Sequence, residues 1–142
     1  MLEMTNKIDF GYDSLDDAFP PCSPGVEPLG SRVLCQLRTP KRKTKGGIIL
    51  TDEAREVDQW NTQVAKVLMT GPLAFRNRNT GEQWKEGAWC LPGDFVRVPK
   101  YAGDRFSVTL DDEDKTEILL IIFNDLDIIG KVSDPLAIKA FI

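Results

Sequence analysis

Residues 92–132 read PGDFVRVPKYAGDRFSVTLDDEDKTEILLIIFNDLDIIGKV. Pro92-Gly93-Asp94 is a turn that feeds Phe95-Val96-Arg97-Val98, where apolar and polar residues alternate as on a half-buried strand. A second turn at Tyr101-Ala102-Gly103-Asp104 leads into Phe106-Ser107-Val108-Thr109-Leu110. The acidic run Asp111–Asp114 reads as a hairpin tip, and Ile118–Phe123 as a strand buried on both faces. Asn124-Asp125-Leu126-Asp127 turns the chain into a last short strand at Ile128–Val132. Upstream, Gln63–Leu68 reads as a strand stopped by Thr70-Gly71-Pro72. Arg32–Leu37 is another, closed by Thr39-Pro40. Six or seven short strands at this spacing, with no long helical period, predict an all-β barrel or sandwich.

The composition fits one soluble domain. The 142 residues are 42% hydrophobic and 28% charged, ordinary proportions for a globular chain. The longest strongly apolar run, Ile118–Phe123, is too short to cross a bilayer. Met1–Phe10 lacks the layout of a secretory or transit signal, so the expected location is the cytoplasm. Histidine is absent, which removes the commonest general base and zinc ligand. Cys22, Cys35 and Cys90 form no C-x-x-C pair, so they read as free thiols, with Cys35 and Cys90 packed as small hydrophobes. No phosphate-binding G-x-x-x-x-G-K-[ST] occurs. Neither a metal, a cofactor nor an enzymatic activity is expected.

Charge is unevenly placed. Residues 1–25 hold five acids and one lysine, which accounts for the net −4 of the whole chain. An acidic arm on a neutral body is a poor nucleic-acid binder. The arm ends at Pro20-Pro21, Pro24 and Gly25; it is either disordered or docked on a neighbouring subunit through Phe10, Tyr12 and Phe19.

Two stretches interrupt the strands. Residues 73–92 form an excursion around Asn79-Thr80-Gly81 that carries Phe75, Trp84 and Trp89. Residues 38–61 are long for a connection in a compact domain. They join a lysine-rich arm, Lys41–Lys45, to Gly46-Gly47 and then to Ile48-Ile49-Leu50. An aliphatic triplet on such a loop either awaits a partner or folds back into the core as a short strand.

Taken in order, Pro28-Leu29-Gly30-Ser31-Arg32-Val33, Lys45-Gly46-Gly47-Ile48-Ile49-Leu50, Pro92-Gly93-Asp94, Lys100-Tyr101-Ala102-Gly103 and Leu119–Ile129 resemble the GroES (chaperonin-10) co-chaperonins across about residues 26–132. The resemblance implies an irregular β-barrel with a mobile loop (about 39–61) and a roof hairpin (about 70–91), assembled as a heptameric ring. It also implies docking on a GroEL-type chaperonin through Gly46, Gly47, Ile48, Ile49 and Leu50. ATP is then bound by the chaperonin, not by this chain. Phe75, Trp84 and Trp89 would sit in the roof, with at least one facing an unfolded client; the alternative is that all three are barrel core. The first and last strands would pair between subunits, through Arg32, Val33, Leu34, Leu37, Ile128 and Ile129. The acidic arm 1–25 and the tail 133–142 are extra, as would suit a phage-encoded co-chaperonin working in a host cytoplasm. The rival function is a structural, virion or assembly component using the same barrel.

Overall fold

The computed structural model describes residues 14–39, 63–100, 103–113 and 115–137. Gly46, Gly47, Ile48, Ile49 and Leu50, and also Phe10 and Tyr12, lie outside them. The described chain opens with one helical turn, α1 (Leu15–Ala18). Six strands follow: β1 (Arg32–Leu37), β2 (Val64–Thr70), β3 (Phe95–Arg97), β4 (Asp104–Thr109), β5 (Glu117–Asn124) and β6 (Gly130–Lys131). They form one antiparallel sheet in the order β4-β5-β1-β2-β3-β6. The fold is all-β, as the turn-and-strand spacing predicts.

The sheet has to curl. A 3-10 turn, Asp125–Asp127, is nearly all that separates β5 from β6, yet these strands lie four positions apart in the sheet. On a flat sheet that is ~19 Å at about 4.8 Å per strand. Six residue steps, half of them in a 3-10 turn, reach only ~16 Å. Residues 125–129 therefore hold the two sides of the sheet together. The Asp125 N–H bonds to Ser31 O at 3.0 Å, just before β1, and the Ile129 N–H to Arg97 O at 3.0 Å on β3.

Alternation divides the side chains between two faces. Val33, Cys35 and Leu37 of β1 join Ala65 and Val67, Val96 and Val98, and Leu119, Ile121 and Phe123 in the inner core. Leu34, Ile118 and Leu120 point the other way and are sheltered by Leu68, Met69, Phe106, Val108, Leu110 and Ile122. An irregularity between Leu34 and Cys35, opposite Met69 and Val67, leaves Leu68 as an extra residue on β2. Such a bulge sharpens the local bend. Gln36, buried on the outer face, donates its amide to Pro20 O at 2.8 Å, so the polar group is satisfied.

The β4–β5 hairpin tip lies where the acidic run predicts. Asp112 accepts from the Thr116 N–H at 2.9 Å and from its hydroxyl at 2.8 Å. These bonds hold the Asp112 carboxyl below the usual range. Behind the hairpin, Gly103 has φ of +73°, and a side chain there would come within 2.8 Å of Ile122 O. Only glycine fits.

The arm 14–25 packs on its own chain, correcting the expectation that Phe19 docks on a neighbour. Ala18 and Phe19 are buried with Val64, beside Phe95 and Leu136. Apolar area is covered locally because the outer face of β2 and β3 lies next to where the arm enters.

Candidate functional site

Three surfaces bear on the expected function. The first is the root of the 40–62 segment. β1 runs out through Arg38 and Thr39, and the chain returns at Gln63 and Val64. The Arg38 N–H bonds to Val64 O at 2.9 Å, so the segment leaves and re-enters the sheet at one point. The Gln63 amide donates to Val98 O at 3.1 Å, and its carbonyl oxygen accepts from Arg97 at 3.2 Å. The Val98 N–H also bonds to Gln63 O at 2.8 Å, so the root is hydrogen-bonded on both sides.

The second surface is the excursion between β2 and β3. Its base is clamped against the segment before β1: Gly71 N–H to Arg32 O at 2.8 Å, and Leu73 N–H to Gly30 O at 2.9 Å. A side chain on Gly71 would collide with the Gly30 carbonyl oxygen. Phe75 then takes φ of +60°, a left-handed conformation that L-residues rarely adopt. Its N–H is held by the buried Asp125 carboxylate at 2.9 Å. That geometry turns the Phe75 ring inward, where it is 2% exposed and part of the inner core. Its ring centroid lies 5.6 Å from Trp84, edge-on, and 6.2 Å from Trp89; the two indoles are 5.0 Å apart. Both tryptophans are half-buried against the core.

Phe75, expected in the roof with Trp84 and Trp89, has its ring buried in this chain, where it fills the sheet's inner cavity at this end. Among the described residues the excursion carries one isolated bridge, Arg76 to Gln83. It folds back over the core as a plug. Its outward skin is polar: Arg76, Asn77, Arg78, Asn79, Thr80, Glu82, Gln83, Lys85 and Glu86 are exposed.

The third surface is the set of exposed aliphatics around the 125–131 connection. Leu29 and Leu126 are each 69% exposed and Ile129 58%. Among the described residues β6 is an edge strand, paired with β3 alone. Of the residues expected between subunits, Arg32 and Ile129 are exposed. Val33, Leu34 and Leu37 are corrected: they are buried in this chain's own core, and β1 is paired on both edges by β2 and β5. A strand with both edges occupied has no groups left for a neighbour's strand. Ile128 is also buried.

Cys35 and Cys90 are buried, as expected, and all three cysteines are free. Burial pushes the Cys90 thiol up to about 11 and Cys35 well above its usual value. Asp94 closes its turn by accepting from the Leu91 N–H at 2.9 Å, and it pairs with Lys131 at 3.5 Å. Among the described residues no group of three or more Cys, Asp or Glu could hold a metal ion. None of their helices is long and apolar enough to cross a membrane.

Sequence reading missed Asp125, which appears in sequence as one of several turn acids. What marks it is a partner fifty residues away with a left-handed backbone, and neither is visible in a linear pattern.

The sequence that builds this sheet matches a known family. The family model of the chaperonin 10 kDa subunit matches residues 25–132. This chain belongs to that family. It is 37% identical over 109 residues to the co-chaperonin GroES of Petrotoga mobilis, covering 77% of this chain and 98% of the relative. The matched span takes in all six strands, the 40–62 segment and the plug. It leaves out α1 and the residues after Val132.

Proposed function

We propose that this chain is a co-chaperonin that caps a GroEL-type chaperonin ring and encloses client proteins beneath it. Membership of the chaperonin 10 kDa family supports a co-chaperone role in general. The observation that carries the finer reading is the single root at Arg38 and Val64. It lets Gly46-Gly47-Ile48-Ile49-Leu50 be offered to a partner without opening the sheet. Burying a large aliphatic side chain contributes about 1.5–3 kcal/mol, and ordering a loop costs much of that. One docking segment therefore binds weakly, and a ring of them binds tightly through effective concentration. Nucleotide is handled by the chaperonin.

The ring we propose is a heptamer, with its subunits joined through Leu29, Leu126, Ile129 and the free edge of β6. The client meets the polar skin of residues 76–86, together with the outer edges of Trp84 and Trp89. The working compartment is the cytoplasm. The test is a native mass measurement, on the chain alone and then with chaperonin and ATP. The expected result is a seven-subunit species that joins the chaperonin only with nucleotide. A chain that never joins the chaperonin refutes the proposal and favours an assembly component.

A further inference from the structure

Both segments outside the family match arrive at the same place. From the N-terminal side, the Ala18 carbonyl accepts the Thr39 N–H at 2.8 Å. From the C-terminal side, the Pro135 carbonyl accepts the Arg38 guanidinium at 2.9 Å, in a buried bond. Between them, Ala18, Phe19 and Val64 are buried in one cluster, with Phe95 and Leu136 packed on it. The Phe19 ring lies 5.1 Å from Phe95. Arg38 and Thr39 are the last described residues before the 40–62 segment, and Val64 is the second after it. Both roots are thus gripped by chain from outside the matched barrel.

The grip is built on purpose-made local structure. α1 is one turn long, capped by the Ser14 hydroxyl accepting from the Asp17 N–H at 3.2 Å. It ends with the Phe19 N–H on Leu15 O at 2.7 Å, which turns Phe19 onto the sheet. On the other side, Asp134 accepts from the Leu136 N–H at 3.2 Å, forming a turn that presents Leu136 to the same cluster. Two unrelated local devices aim two apolar side chains at Val64.

We propose that the two extensions form a clasp on the roots of the 40–62 segment, and that Phe19 and Leu136 are positioning residues for docking on the chaperonin. This rests on the co-chaperonin reading above. Docking has to order any contacting residue that is not already held in the free protein. Residues pinned beforehand carry that cost in folding instead, and each backbone residue released is worth roughly 5–30-fold in affinity. The clasp also fixes the direction in which the segment leaves the sheet. A covering role alone would influence stability and leave docking untouched.

The experiment uses the full chain with Phe19→Ala, Leu136→Ala and the conservative Phe19→Leu. Leu136 is only half-buried, so its variant keeps the test open if Phe19→Ala fails to fold. Two quantities are read well below each variant's melting temperature. One is amide exchange at Thr39, referenced to Val33 and Ile121 in the sheet. The other is affinity for a GroEL-type chaperonin in the presence of ATP. The expected result for both alanine variants is at least about tenfold faster exchange at Thr39 with the reference amides unchanged, and about tenfold weaker docking. Phe19→Leu should recover most of both. Unchanged exchange at Thr39 overturns the clasp. Faster exchange with unchanged affinity overturns the positioning role. If the unmodified chain does not bind the chaperonin at all, the co-chaperonin reading fails and the positioning role with it, while the exchange data still decide whether the clasp exists.

Discussion

Replacing Phe75 separates two accounts of the excursion, because the ring either fills the core or meets a client. The structure puts it 2% exposed, within the inner core and beside both Trp84 and Trp89. Phe75→Ala removes a buried ring and leaves a cavity, at a cost of about 3–5 kcal/mol. For a chain of this size that corresponds to a melting temperature lower by about 10–15 °C. Phe75→Gly adds a second reading. Glycine in ordinary strand or helix is less stable than alanine by roughly 0.5–1 kcal/mol. At φ of +60° an L-residue carries a penalty of about 1–2 kcal/mol that glycine lacks. Phe75→Gly should therefore melt no lower than Phe75→Ala, and up to a few degrees higher. The assay is calorimetry at fixed protein concentration, since association shifts melting temperature. A Phe75→Ala protein melting within about 3 °C of the parent would refute the core assignment and restore a client-facing role. A glycine variant clearly below the alanine variant would refute the left-handed backbone.

Changing Ile48, Ile49 and Leu50 together to Ser should abolish nucleotide-dependent pull-down of the chaperonin and leave the melting temperature within about 2 °C; a fall of 10 °C or more would mean that the triplet is core. Asp125→Ala should cost about 1–3 kcal/mol by leaving the Phe75 N–H buried without an acceptor, whereas Asp125→Asn keeps an oxygen there and should cost less than half as much in a denaturant melt. In thiol labelling at pH 8, Cys22 should react first; Cys35 and Cys90, both buried and pushed up, should react only as the protein unfolds, and equal rates for all three would contradict the burial. Asp112 is held below the unfolded carboxylate range, so its contribution is present above that range and is lost as pH falls through the lowered value. Amides at the hairpin tip, Lys115 and Thr116, should accordingly lose protection on acidification before those of β5.

The strands were legible because each carries its own punctuation. Arg32–Leu37, read from a short apolar run between Ser31 and Thr39-Pro40, is β1 residue for residue. The hairpin from Phe106 to Phe123 was marked by alternation and an acidic tip, and differs from β4 and β5 only at the ends. What could not be read was which strand lies in the middle. Being first in the sequence suggests an edge, yet β1 is central because β5 returns beside it from more than eighty residues away. That single fact moved Val33, Leu34 and Leu37 from an expected interface into the core. The aromatic excursion is hard to read for a similar reason. Phe75, Trp84 and Trp89 announce a cluster, but whether the cluster faces in or out depends on the left-handed turn at Phe75 and its bond to Asp125, and no local pattern encodes either.

The plug is part of the fold: its aromatic ring completes the inner core, and its backbone is tied to Gly30, Arg32 and Asp125. Changes at its rings or its tied backbone act on the barrel, whereas the polar skin, such as Arg78 or Lys85, can vary cheaply, typically within about 0.5 kcal/mol for exposed side chains. The root of the 40–62 segment is closed by the Arg38 N–H bond to Val64 O. On the co-chaperonin reading proposed above, docking strength can adapt through that segment and through the extensions that grip its roots. On the same reading, adaptation of the surface offered to a client is confined to the outermost atoms of a plug that the fold needs.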